Sequence, residues 1–160
     1  MADISLRVTG EVESPLFLTF TDLATIDPAA QIVDVSRIAA GRKGDAVKLS
    51  AILALAKPKT TAKYLGLHAA ADNFHASIPL AAVAERGIVI YRLEGQPLSA
   101  ASGGPVRFFI PDHATCKLDE IDECANVKFV DMLELTAERG FDNRPHDEQE
   151  HAALHAKEQI

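Results

Sequence analysis

The apolar stretches of this chain are short, and glycine or proline cuts them every few residues. Residues 4–9 alternate: Ile4, Leu6 and Val8 fall on one side and Ser5, Arg7 and Thr9 on the other, the period of a half-buried strand. Gly10 ends that strand, and 12–20 continues extended, with Pro15 suited to a sheet edge. Thr21 is positioned to cap a short helical turn that begins with Asp22 and Leu23. Further strands are predicted over 30–35, 63–68, 75–78, 87–93 and 106–110, with the last over 127–135. Ser50 is expected to cap a helix over 51–56 that stops before Pro58, and Pro79 to open another that runs to about Ala84. Residues 36–48 and 94–97 read as loops, and Asp72-Asn73-Phe74 as a turn.

Many short strands, a few short helices and no regular strand–helix alternation define an α+β fold of mixed β-sheets rather than a doubly wound parallel sheet. A length of 160 residues suits one domain with a real core. That domain is expected to span 1–140, with 141–160 a polar tail in which 147–157 is either a surface helix or frayed.

Charge narrows the function. There are 23 acidic residues against 16 basic ones, a net −7, and no basic stripe of the kind a nucleic-acid surface needs, so no nucleic-acid partner is expected. Arg42 and Lys43, with Arg37 and Lys48 nearby, are either a solvated loop or the seat of an anionic ligand. The first ten residues contain no apolar core of signal-peptide length, and no apolar run is long enough to cross a bilayer. The expectation is a cytoplasmic protein with no membrane partner. Two cysteines, Cys116 and Cys124, are too few for a disulfide scaffold.

The stretch SASGGPVRFFIP, residues 99–110, sets a guanidinium inside what otherwise reads as buried strand. Gly103 and Gly104 allow a backbone to approach a ligand closely and supply positive φ where it is needed. Arg107 offers a planar fork of donors that suits a phosphate or the carbonyl edge of a pterin. The other reading of the same residues is a plain turn, with Arg107 paired to a core carboxylate.

Order adds what composition lacks. LRVTGEVESPLFLTFTDL (6–23) is followed by GDAVKLSAIL (44–53), YLGLHAAADNFHASIPLAAVAE (64–85), IVIYRLEGQPLS (88–99), GGPVRFFIP (103–111) and VKFVDMLELT (127–136). No single motif is specific, but the ordered series resembles the molybdopterin-binding domain of the sulfite oxidase family of oxidoreductases, over roughly residues 4 to 136. The resemblance implies the mixed-sheet fold of that family and a molybdopterin cofactor approached by Gly103, Gly104 and Arg107. It matches Lys128 to a lysine that opens a strand near the cofactor, where it meets phosphate or is merely solvated. It implies oxygen-atom transfer, a two-electron change at molybdenum, as the reaction type of active members.

The chain departs from the family pattern at the metal. Active members ligate molybdenum through a cysteine thiolate, and the matching window 31–49 contains none; Ser36 is the nearest candidate. The histidine usual before the Gly-Gly-Pro is replaced by Ser102, and the chain has no tryptophan. Catalytic members also carry an N-terminal portion that helps enclose the cofactor, which residues 1–5 do not supply. Two function classes therefore stand side by side. One is a molybdopterin-dependent oxidoreductase. The other is a non-catalytic binding or assembly module that keeps the fold to hold a pterin, another small anion or a protein partner.

Two further groupings are weaker. His113, Cys116 and Cys124 are spaced His-x2-Cys-x7-Cys; the open readings are inert thiols, a loop disulfide, or a thiophilic metal with a fourth ligand such as Asp112 or His68. The paired Cys-x2-Cys knuckles of zinc sites are missing, and no resident metal is expected here. His151 and His155 stand four apart in the tail, with His146 before them, and read as solvated residues of a helix face.

Overall fold

The computed structural model describes residues 4–39, 41–111 and 126–143. In chain order the elements are β1 (Ile4–Gly10), β2 (Leu16–Thr19), α1 (Phe20–Ala24), β3 (Gln31–Ile32), β4 (Asp45–Lys48) and α2 (Leu49–Ala56). Then come β5 (Tyr64–Ala69), β6 (Phe74–Pro79), α3 (Leu80–Val83), β7 (Ile88–Leu93), β8 (Gln96–Pro97), β9 (Val106–Phe109), β10 (Asn126–Val130) and β11 (Met132–Thr136). Short 3-10 turns fall at Pro28–Ala30, Val35–Arg37, Ala70–Asp72 and Ala100–Ser102.

The strands form two sheets. The first runs β2-β1-β11-β5-β6, and the second β10-β9-β7-β4-β3, with β8 pairing β7. All pairings are antiparallel except β1 with β11. The α+β expectation therefore holds. The last strand, β11, inserts between β1 and β5, so the first sheet closes only when both ends of the described chain have met.

One core joins the sheets. Leu6, Val8, Leu67 and Leu133 from the first meet Val89, Tyr91, Val106 and Phe108 from the second, together with Leu23 of α1 and Ile52 of α2. The second sheet is apolar on its other face too, where Val35, Ala46, Ile88, Ile90, Leu98 and Phe109 form a smaller cluster. The β-branched run of β7 thus reads as a continuous apolar strand because alternate residues enter different cores. The Tyr91 hydroxyl donates to Gln31 Oε1 at 2.6 Å, which satisfies a polar tip in this setting.

Local punctuation differs from the sequence expectation in several places, and residues 45–48 and 96–97, expected within loops, form β4 and β8. Thr19, not Thr21, caps α1: its hydroxyl accepts from the Asp22 amide and the Asp22 carboxylate accepts from the Thr19 amide, a complete capping box. Ser50 lies inside α2, whose first turn has Lys48 as its cap residue and no side-chain cap. The strand expected over 30–35 is only two residues long, because Asp34 turns left-handed at φ 64° and opens a 3-10 turn. The strand expected over 127–135 is two strands in different sheets: Phe129 takes φ 62° and the pairing shifts register between Val127 and Val130. The two strands meet at Asp131. In the segment expected as a tail, residues 141–143 are described, and Asn143 is hydrogen-bonded to β6 through its own backbone and its side chain.

Candidate anion site on the second sheet

Arg107 sits in β9 opposite Ile90 of β7. Its neighbours Val106 and Phe108 face the main core, so the period of the strand sends Arg107 to the other face, beside Ile90 and Leu98. That alternation answers why a guanidinium stands in a strand of buried residues. Its Nη2 donates to the Asn126 side-chain oxygen at 2.9 Å, and its buried Nε has no partner among the described residues. The pairing is with an amide, not with the core carboxylate that the alternative reading required.

The two glycines make this placement possible. Gly103 is left-handed at φ 92°, and a Cβ there would come within 2.8 Å of Arg107 Cδ. The arginine stem therefore lies across the bare glycine. A Cβ on Gly104 would come within 2.2 Å of the Leu98 carbonyl oxygen, so that backbone crossing admits only glycine. Gly104 donates to Ser99 at 2.8 Å, and Phe129 donates to Gly103 at 2.8 Å, which ties β10 to the turn. The close approach expected of these glycines is, in the structure, an approach of the chain to itself, and it carries Arg107.

A hollow of about 210 Å³ opens beside Arg107. Its lining includes Arg42, Lys43, Ile90, Leu98 and Ser102 as well as Arg107, and among the described residues it contains no carboxylate. Arg42 lies with its guanidinium 5.0 Å from the centre of the Phe109 ring, a cation–π contact that holds it against the sheet. Burial, and then repulsion from Arg42, hold the Arg107 guanidinium below the ordinary arginine value. Two guanidiniums and an ammonium thus share one concavity with no negative charge among the described residues of its wall. An oxyanion is the group that such a wall fits.

The loop that brings Arg42 and Lys43 here is fastened at Asp45. Asp45 Oδ1 accepts from the Asp34 amide at 2.8 Å, and Oδ2 accepts from Arg92 Nε at 2.8 Å. The Val35 amide donates to the Gly44 carbonyl at 2.8 Å, and Gly44, at φ 107°, lies where a Cβ would strike the Arg92 carbonyl at 2.7 Å. The loop is therefore closed at its base before any ligand arrives.

Of the residues singled out from sequence, Arg107 lines the hollow, and Gly103 and Gly104 support it from behind. Ser36 does not line it; it is exposed, and its hydroxyl donates to Asp34 Oδ1, which draws the Asp34 carboxyl below its ordinary value. Lys128 is exposed on β10 and is not in the lining either. Sequence reasoning marked Arg42 and Lys43 as a basic cluster but did not join them to Arg107, since 64 positions separate Lys43 from it and only the β4–β7–β9 order brings the two together. His113, Cys116 and Cys124 lie outside the described residues, as do His146, His151 and His155. Among the described residues no group of three His, Cys, Asp or Glu side chains is disposed to hold a metal, and no helix is long and apolar enough to cross a membrane.

A larger hollow of about 640 Å³ lies between α1 and α2, with Leu18, Ile26, Ala51 and Leu55 in its wall. Its two carboxylates, Asp22 and Asp27, are engaged as helix caps. Size alone favours it, but convergent unpaired charge marks the smaller one as the chemical site.

Mixed sheets with a cationic hollow on one face define an α+β domain. The chain belongs to the oxidoreductase molybdopterin-binding domain family, whose model matches residues 1–140. Among solved structures it is similar to the sulfane dehydrogenase SoxCD from Paracoccus pantotrophus, at 22% identity and a TM-score of 0.59. The match covers 86% of this chain and 39% of that one. No match was found among curated proteins. The fold is thus of the sulfite oxidase type that the ordered motifs implied.

Proposed function

We propose that this chain is a binding domain that holds the phosphate-bearing end of a molybdopterin-type cofactor between Arg107, Arg42 and Lys43, and that it offers the metal no thiolate from the family's usual window. The observation that carries this is the hollow of about 210 Å³ in whose wall, among the described residues, three cationic side chains meet with no carboxylate and the Arg107 Nε has no partner. A buried unpaired donor costs about 1–3 kcal/mol, and an anion nearby offsets that cost.

The volume suits a phosphate-sized group and lies below the roughly 300 Å³ at which pockets for larger ligands begin, so the hollow takes the anionic end of a cofactor rather than the whole of it. The donors suit that end: a guanidinium fork binds two oxygens side by side, and lysine adds a point charge. At the metal end the match fails. The window 31–49 contains no cysteine, and the Ser36 hydroxyl is already given to Asp34. A bound molybdopterin supplies two-electron chemistry at its metal. What this chain supplies is charge, orientation and an apolar wall of Ile90, Leu93 and Leu98.

The second reading, an oxidoreductase active on its own, draws on the family match over 1–140. Both are tested in one preparation. The protein is purified from a host that makes the cofactor; pterin is measured by fluorescence after oxidation and molybdenum by elemental analysis. The expected result is retained pterin with molybdenum well below one equivalent, and loss of the pterin in Arg107→Ala with an unchanged circular-dichroism spectrum. Stoichiometric molybdenum favours the enzyme. A protein that holds no pterin, or an Arg107→Ala variant that keeps it, overturns the proposal.

A further inference from the structure

The first sheet carries a second cluster of ionisable groups that the anion site does not use. His68 on β5 and His75 on β6 are directly opposed across the strand pair. Their Nδ1 atoms stand 2.8 Å apart, and His68 Nε2 stands 3.0 Å from Glu134 Oε1 on β11. A Cβ on Gly66 would come within 3.0 Å of His68 Nε2, so the glycine leaves the space in which the ring leans toward Glu134. The next layer is segment 139–143, which runs along β6, the edge strand of the sheet. Asn143 donates its amide to the His75 carbonyl at 2.9 Å and accepts the His75 amide on its side chain at 2.9 Å. Asp142 Oδ2 accepts the Ser77 amide at 3.0 Å, and Gly140 donates to the Ser77 hydroxyl at 2.9 Å. The Phe141 ring packs on His75 with 4.9 Å between centroids, so the His75 ring lies between Phe141 and His68, whose centroid is 5.1 Å away. The segment is a strap that occupies the hydrogen-bonding edge of β6.

The hydrogen bonds limit how many protons the pair can hold. With Glu134 accepting from His68 Nε2, a neutral His68 has its Nδ1 free to accept, so His75 Nδ1 donates. One added proton is accommodated: His68 then donates from both nitrogens and His75 accepts at Nδ1, with its own hydrogen on Nε2. A second added proton is not, because two Nδ1–H groups then face each other across 2.8 Å with like charge. The rings must part, and the His75 ring moves against Phe141, the strap residue packed on it.

We propose that the His68–His75 pair is a proton-operated latch: with no more than one proton shared between them the strap 139–143 stays on the β6 edge, and the second proton releases it. Among the described residues, the charged groups on the elements around the pair are Glu134 on β11, Asp131 between β10 and β11, Asp72 on the turn before β6, and Arg139 and Asp142 on the strap itself, which are 3.4 Å apart. Burial and the charge of His68 both hold the His75 imidazole below its ordinary value, Asp131 opposes them, and the net direction agrees with exclusion of the second proton.

The test is amide hydrogen exchange of the full chain from pH 7.5 to 5.0, corrected for the intrinsic exchange rate at each pH. The expected result is that protection of 140–143 and of the His75 and Ser77 amides falls on acidification, by up to about tenfold per pH unit, the slope of one linked proton, while Leu67 and Leu133 keep theirs. His75→Phe retains the stack on Phe141 and removes the titration, so its strap protection is expected to be flat with pH. Should that variant not fold, His68→Gln tests the same point, since one imidazole alone has no second proton to exclude. Strap protection that is independent of pH in the unaltered chain, or that falls equally in the folded variant, overturns the latch.

Discussion

At the scale of single residues, the turn before β9 tolerates substitution poorly. Gly104 passes so close to Leu98 that a Cβ would lie 2.2 Å from its carbonyl oxygen, and backbone on both sides cannot give way as a flexible side chain would. Gly104→Ala is expected to cost about 3 kcal/mol, at the upper end for forced overpacking, and to appear as a lower urea midpoint. Gly41 makes the contrast. Unlike Gly104 it has positive φ, at 84°, but nothing lies within 4 Å of its added Cβ, so substitution there meets only the backbone term. Arg107 was singled out from the sequence as a cation out of place in an apolar strand. Its partner, Asn126, was not, because a side chain 19 positions away enters reach only through the β9–β10 pairing.

At the scale of elements, the loop between β3 and β4 carries the chemistry although it contains almost no regular structure. Arg42 and Lys43 face the hollow because Asp45 ties the loop base to the Asp34 amide and to Arg92. Asp45→Ala is therefore expected to weaken anion binding without removing any residue from the hollow's wall. The loss is about 2 kcal/mol, the range for hydrogen bonds to a charged group. Titration with inorganic phosphate, followed by calorimetry, measures it; an affinity equal to that of the unaltered chain shows that the loop holds its shape without the clamp. Most elements were legible beforehand, since β-branched runs and alternation mark β1, β5, β7 and β9 within a residue or two. The splitting of 127–135 was not legible. It depends on Phe129 adopting φ 62° to meet the Gly103 carbonyl, a conformation that no local preference of phenylalanine suggests.

At the scale of the molecule, acid is expected to weaken the fold. The His75 imidazole is held below the ordinary value of 6.5, so the folded chain binds fewer protons than the unfolded chain in the region just below it. Stability therefore rises with pH through that window. The contribution is complete above 6.5 and is lost as pH falls toward the lowered value. Asp34 acts in the same direction, but its carboxyl is lowered from 3.8, so its share disappears only at much lower pH. Urea unfolding at pH 7.5 and 5.5 is expected to show the lower midpoint at 5.5, with His75→Phe narrowing the gap. Equal midpoints contradict the sign.

The alternation of short strands, the stop at Pro58, the lack of a basic stripe and the order of six motifs were all properties of the chain as written, and they determined its α+β class and its family. They are local or ordered along the sequence, and periodicity reads such features directly. Which charges would face one another was decided by the tertiary structure alone. Arg42 reaches Arg107 through the β4–β7–β9 order, and His68 reaches His75 and Glu134 through the register of β5 with β6 and β11. A one-residue slip in any of those pairings would turn the same side chains to the opposite face, so sequence spacing by itself could not foretell either cluster.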